Sequence, residues 1–352
     1  MRNGPCNPAV KRAWKLLPAV ALSLGLAAPG HAQEASASAA GASPAASAPI
    51  SLDRLLTAVV HIKTFITPDG RTTENLGKQR EGTGIVIDSN GLVLTIGYLM
   101  VEAVSAQVTV GDGRPVIANV VGYDNETGFG LLQTVAPLKV RPLEMGKASD
   151  VKEGDPLLIA SYNDQRGMTG VHVVSRREFT GNWEYMVDEA IFTAPADRNW
   201  SGAALLNHEG KLVGVGSLIV GDANGKGDGM RGNMFVPIDK LPPILGDLIA
   251  DGRTTAAHPW LGVTTDDVGG HLVVSRVTPG APAQKAGLRK GDIIVGVNGE
   301  TPKDLSDFYR KVWAQGPAGT DVPLDVLQDH ERRRIEVHSI NRLDDLKLRS
   351  TF

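Results

Sequence analysis

The sequence predicts a mainly β protein: a barrel or sandwich of many short strands, then a connecting helix and a second small domain. Three observations carry this. From Leu52 to about Pro237, short runs rich in Val, Ile, Leu and Thr alternate with turn residues. Ile238, Leu241, Ile244, Leu245, Leu248 and Ile249 then recur at helical spacing, with Gly252 as a stop. Beyond a short linker, strand-like runs return around one more helical stretch. The 41 glycines and 5% aromatic content fit turn-rich β architecture.

The N-terminus reads as an export signal over residues 1–32. Arg2, Lys11, Arg12 and Lys15 form a positive region, followed by a short apolar run from Leu16 to Ala28. Gly30-His31-Ala32 supplies small residues for cleavage before Gln33; retention as an uncleaved anchor is the alternative. Residues 33–50 are Ala/Ser/Pro-rich, with too little to bury, and are expected to be a disordered tether. The only cysteine, Cys6, lies in the leader, so disulfides and thiolate chemistry are excluded from the mature chain. A formal net charge of −3 gives no reason to expect nucleic-acid binding. Arg332-Arg333-Arg334, just before the strand-like Ile335-Glu336-Val337, reads as a solvated hairpin end. The histidines are scattered and no glycine-rich phosphate loop occurs, so neither a metal nor another cofactor is expected.

Strand-like runs in the first domain include Ala58–Ile62, Thr83–Ile87, Leu92–Thr95, Ala106–Val110 and Leu212–Gly216. Asp88-Ser89-Asn90-Gly91, Asp112-Gly113 and His208-Glu209-Gly210 read as hairpin turns between such runs. In the helical segment starting at Ile238, Pro242 and Pro243 fall in the first turn or so, where proline is best tolerated. The second domain offers a strand over Gly270–Val277, a short helix around Ala281–Ala286, a helix from about Leu305 to Trp313, and two closing strands.

Several motifs resemble the HtrA/Deg family. In the first domain these are EGTGIVIDSNGLVLT (Glu81 to Thr95), VVGYDNETGFGLLQT (Val120 to Thr134), KLVGVGSLI (Lys211 to Ile219) and FVPIDKL (Phe235 to Leu241). In the second they are WLGV (Trp260 to Val263) and SRVTPGAPAQKAGLRKGDIIVGVNG (Ser275 to Gly299). The resemblance implies a trypsin-like double β-barrel over residues 51–238, a connecting helix and linker over 239–257, a PDZ domain over 258–342 and a tail over 343–352.

The family's catalytic motifs carry over position by position. Where the family has histidine, in a segment like T-N-N-H-V-V, this chain reads Thr95-Ile96-Gly97-Tyr98-Leu99-Met100. Where it has aspartate, in T-D-L-A-L-L, the chain reads Thr127-Gly128-Phe129-Gly130-Leu131-Leu132. The serine of G-N-S-G-G-P-L is kept as Ser201, but Asn199 replaces the glycine two positions earlier, in a loop that reads one residue short from Thr193. A phenol titrating near ~10 is a poor general base at neutral pH, and glycine cannot orient one. The altered loop is expected to weaken the oxyanion hole around Asn199. Substitute bases would have to come from His61, His172, His208, His258 or His271.

The resemblance further implies that backbone N–H groups of Leu261, Gly262 and Val263 capture a peptide carboxylate, with the helix from Leu305 as the other groove wall. The expected protein is a catalytically inactive pseudoprotease of the periplasm. It binds peptides or C-termini of unfolded envelope proteins, and an active HtrA-type relative is a further candidate partner. A homo-trimer is the family default. The alternative is an active serine endopeptidase using Ser201 with a non-standard base.

Overall fold

The computed structural model describes residues 52–162 and 166–348; the expected leader and tether lie outside them. After a short helix, α1 (Leu52–Thr57), the chain builds a closed six-stranded barrel. Its strands are β1 (Val59–Ile66), β2 (Gln79–Val86), β3 (Leu92–Ile96), β4 (Ala103–Thr109), β5 (Val116–Tyr123) and β6 (Phe129–Thr134). One helical turn, α2 (Thr73–Leu76), interrupts the β1–β2 connection. The strand order β1-β2-β3-β6-β5-β4 closes through antiparallel pairing of β1 with β4. The Asp88–Gly91 and Asp112-Gly113 turns fall between β2 and β3 and between β4 and β5, as expected. The Asp88 carboxylate accepts the Asn90 and Leu92 N–H groups, which tightens the first of these turns.

A second closed barrel follows, ordered β10-β11-β12-β9-β8-β7. Its strands are β7 (Pro156–Tyr162), β8 (Arg166–Gly181), β9 (Tyr185–Ala194), β10 (Ala204–Leu206), β11 (Leu212–Val220) and β12 (Gly232–Pro237). One continuous core serves both barrels, from Val60, Ile85 and Leu131 in the first to Ile159, Phe192 and Phe235 in the second. Burying such side chains contributes roughly 1.5–3 kcal/mol each, an upper estimate against an extended unfolded chain.

The connecting helix, α3 (Pro242–Asp251), starts later than the hydrophobic period suggests. Ile238–Lys240 form a separate 3₁₀ turn, and Leu241 is the residue before the helix. Pro242 and Pro243 lack the N–H that a helix interior requires, so they are confined to its first positions. Gly252 ends the helix in the left-handed conformation, φ 71°, its N–H on the Leu248 carbonyl at 3.2 Å.

The third unit is a five-stranded sheet in chain order: β13 (Val263–Val268), β14 (His271–Val277), β15 (Ile293–Val297), β16 (Asp321–Gln328) and β17 (Glu331–His338). The helices α4 (Pro282–Lys285) and α5 (Leu305–Trp313) complete it, and α6 (Arg342–Asp345) follows. Asp304 caps α5 by accepting the Asp307 N–H at 2.8 Å, and Phe308, Tyr309 and Val312 turn inward. The arginine run lies inside β17 rather than ahead of it. Arg332, Arg333 and Arg334 pair with Leu327, Val326 and Asp325 of β16; they are exposed, and their heads meet Asp325, Glu331 and Glu336.

Candidate functional site

Ser201 lies in the loop between β9 and β10, and the loop is fastened from several sides. Its carbonyl accepts the Thr83 N–H of β2 at 2.9 Å. Gly202 N–H reaches the Gly216 carbonyl on β11 at 2.9 Å, and Gly216 N–H returns to Ala203 at 2.8 Å. Upstream, Asp197 is the anchor. Asn233 accepts its N–H at 2.7 Å and donates to its carbonyl at 3.0 Å, while the Thr169 hydroxyl donates to its carboxylate. The other carboxylate oxygen accepts the Asn199 N–H at 2.7 Å. An oxyanion hole needs such a donor aimed at the reacting oxygen. The Asn199 donor is aimed at Asp197 instead.

Tyr98 rides on a single 3₁₀ turn, Gly97–Leu99, at the end of β3. Its carbonyl is held by the Arg80 guanidinium at 2.6 Å, and its ring lies 5.9 Å from that of Trp200. This places the Tyr98 hydroxyl 2.7 Å from Ser201 Oγ. The contact has the length of a nucleophile–base hydrogen bond but not its chemistry. Burial drives the phenol pKa well above its ordinary value, and the hydrogen bond to Ser201 opposes this only partly. At neutral pH the phenol is therefore held in its protonated form.

Gly128 adopts φ 78°, a left-handed backbone that glycine enters without strain. Its carbonyl accepts the Gly97 N–H at 2.6 Å, tying it to the Tyr98 turn. A β-carbon built on Gly128 would stand 3.0 Å from the Tyr185 hydroxyl. That hydroxyl donates to the Thr127 carbonyl at 2.9 Å. Burial raises its pKa strongly too, with neighbouring Tyr123 adding to the shift. A second neutral phenol thus fills the space beside Gly128.

The histidines named from the sequence lie in other settings. His61 on β1 stands 3.5 Å from Glu81 and against the Tyr162 ring. His258 pairs with Glu126 at 2.8 Å and stacks on Trp313 at 4.4 Å. His172 is in β8, His208 in the β10–β11 turn and His271 at the start of β14. Among the described residues, no group of three or more His, Cys, Asp or Glu could hold a metal ion.

The three amides at the entry to β13 are already occupied. Leu261, Gly262 and Val263 donate their N–H groups to the Glu184 carboxylate at 2.8, 2.7 and 2.7 Å. Glu184 sits in the tight β8–β9 turn, at φ 57°, and is 7% exposed. An internal carboxylate thus stands where the resemblance places the carboxylate of a bound peptide. A cavity of about 430 Å³ runs between the two places, lined by Tyr98, Trp183, Tyr185, Trp200, Gly262 and Arg276, among others.

The structure therefore brings Ser201 and Tyr98 into contact, leaves Gly128 facing Tyr185, and turns Asn199 towards Asp197. Glu184, Tyr185 and Asp197 were missed by sequence reasoning. A glutamate in a hairpin turn carries no local mark of its partner. Asp197 had one usable signal: an acidic residue two positions before Asn199 is placed to accept its N–H as an Asx turn does.

Comparison with known proteins matches residues 82–215 to the trypsin-like peptidase domain and residues 259–338 to the PDZ domain. The chain is 30% identical over 289 residues to the putative serine protease HhoA of Synechocystis, covering 74% of this chain and 70% of that protein. It is 29% identical over 272 residues to a probable periplasmic DegP-like serine endoprotease of Chlamydia trachomatis, covering 73% of this chain and 53% of that protein. The chain thus spans only about half the length of some curated relatives. The solved structure of the HtrA-type protease AlgW with a decapeptide superposes with a TM-score of 0.52 at 21% identity, over 82% of this chain and 97% of that one.

Proposed function

Since the chain belongs to the HtrA family, with a trypsin-like peptidase domain ahead of a PDZ domain, we propose that it is an exported pseudoprotease that binds peptides without cleaving them. The observation that carries this reading is the 2.7 Å contact between Ser201 Oγ and the Tyr98 hydroxyl. Acyl transfer needs a base to take the serine proton and return it to the leaving amine. The tyrosine is protonated at physiological pH and stays so. In a comparable triad, losing the base alone costs about 10⁶ in turnover. The amide of Asn199, bound to Asp197, supports the same conclusion from the side of transition-state stabilisation.

What remains is recognition. The three-amide loop, the outer edge of β13 and the wall formed by α5 suit an extended peptide ending in a carboxylate. The substrate class proposed is the C-termini of unfolded envelope proteins. The periplasmic assignment of relatives and the leader-like N-terminus support an envelope location.

The test incubates the purified mature protein with unfolded casein, beside its Ser201→Ala variant. No casein loss above the variant's background is expected. Robust cleavage that disappears with Ser201→Ala would overturn the reading in favour of an active endopeptidase.

A further inference from the structure

The β8–β9 hairpin reproduces, within the chain, the contacts of a bound peptide. Strand β13 is the edge of the five-stranded sheet, so its outer N–H and C=O groups face the groove. The Thr265 N–H on that edge donates to the Asn182 carbonyl at 3.0 Å, one rung of the ladder an added strand would make. Two residues on, the Glu184 carboxylate takes the amides of Leu261, Gly262 and Val263. The opposite wall joins in: the Tyr309 hydroxyl of α5 donates to the Gly181 carbonyl at 2.9 Å and accepts the Glu184 N–H at 3.0 Å. The Asn182 side chain donates to Asp266 at 2.5 Å. On the surface, Arg310 of α5 bridges to Glu178 of β8 and Asp188 of β9.

We propose that the turn Asn182-Trp183-Glu184 is a built-in ligand of the peptide groove, and that an external C-terminal peptide binds only by displacing it. A carboxylate cannot share three amides that already serve another, so the two ligands exclude each other sterically and electrostatically. Apparent affinity for the peptide is then its intrinsic affinity reduced by the fraction of molecules whose hairpin is undocked. The partner best fitted to the task carries a free C-terminal carboxylate and an extended segment able to replace the Asn182 rung. This inference rests on the peptide-binding reading, and it adds the regulation of that groove.

The test compares wild-type mature protein with Glu184→Ala and Glu184→Gln. The probe is a fluorescein-labelled octapeptide ending in valine with a free carboxylate, read by polarisation, beside the same peptide amidated. Glu184→Ala is expected to bind the free-carboxylate peptide about tenfold or more tightly than wild type, as removal of a closed state requires. The amidated peptide should gain nothing. Equal affinity for wild type and Glu184→Ala overturns the proposal. Hydrogen exchange without peptide gives a second, independent reading. The Leu261, Gly262 and Val263 amides should exchange faster in Glu184→Ala; unchanged protection also overturns the internal contact. Faster exchange with no peptide binding by any variant sinks the peptide-binding reading, and competition with it, while leaving the docked hairpin in place.

Discussion

The hydroxyl of Tyr185 stands 3.0 Å from the point a β-carbon on Gly128 would occupy. This fixes what restoring a triad would require. A carboxylate at position 128 must enter a left-handed backbone and push aside a buried phenol that bonds to Thr127. Backbone strain of that kind costs about 1–3 kcal/mol. Gly128→Asp should therefore lower the urea midpoint, and Tyr98→His with Gly128→Asp should still leave casein intact. Efficient cleavage by that double variant would show that the phenol yields and that the Asn199 amide can be recruited.

Asp197 should matter for stability more than its place in a loop suggests. Its carboxylate accepts from Thr169 and from the Asn199 amide, while Asn233 brackets its main chain. Asp197→Ala leaves those donors without a partner, a loss of about 1–3 kcal/mol for a buried group. Chemical denaturation of the variant against wild type measures this. A change under about 0.5 kcal/mol, typical of an unengaged surface position, would contradict it.

Docking of the hairpin should depend on pH through Glu184. Burial pushes its carboxyl up to about 7 from the usual 4.5, against the amides of Leu261, Val263 and Gly262 and the charge of Arg342. Tyr309 faces it from α5, with Asp266 nearby on β13. A docked acid that titrates higher than the free one holds a proton the free one has lost. Docking is thus strongest below about 4.5 and weakens as pH rises through about 7. Trp183 stacks on Tyr185 at 5.9 Å and reports the hairpin. Its emission, taken as the difference between wild type and Trp183→Phe, should change with a midpoint near 7 and stay flat in a Glu184→Gln background. The same transition in that background would assign it to another group.

Gly262 is a poor probe of peptide capture. It sits at φ 82°, and a β-carbon there would lie 2.3 Å from that of Ala281. Gly262→Ala should destabilise the five-stranded unit by about 1–3 kcal/mol before it affects any ligand. Thermal unfolding of the variant checks this; an unchanged midpoint would contradict the close approach.

Local pattern made much of the fold legible. The Leu305–Trp313 helix lies where the sequence reading puts it, and the Asp-Ser-Asn-Gly turn is legible from its turn chemistry. The motif resemblance put Tyr98 and Ser201 at the family's histidine and serine positions; their 2.7 Å contact, across 103 residues, is a finding of the structure. Other features depend on tertiary placement that no window reports. Glu184 meets Leu261 across 77 residues, and neither segment carries a sign of the other. The arginine run is exposed beside the β16–β17 turn, as a solvated hairpin end should be, but it already belongs to β17, where exposed charges pair along and across strands.

The central claim is that nothing takes the proton from Ser201. The most direct measurement is labelling of the purified mature protein by a fluorophosphonate probe, followed by mass spectrometry of the Ser201 peptide. The expected result is no adduct above that of Ser201→Ala at neutral pH. Stoichiometric phosphonylation of Ser201 on the timescale of an active serine hydrolase would contradict the account.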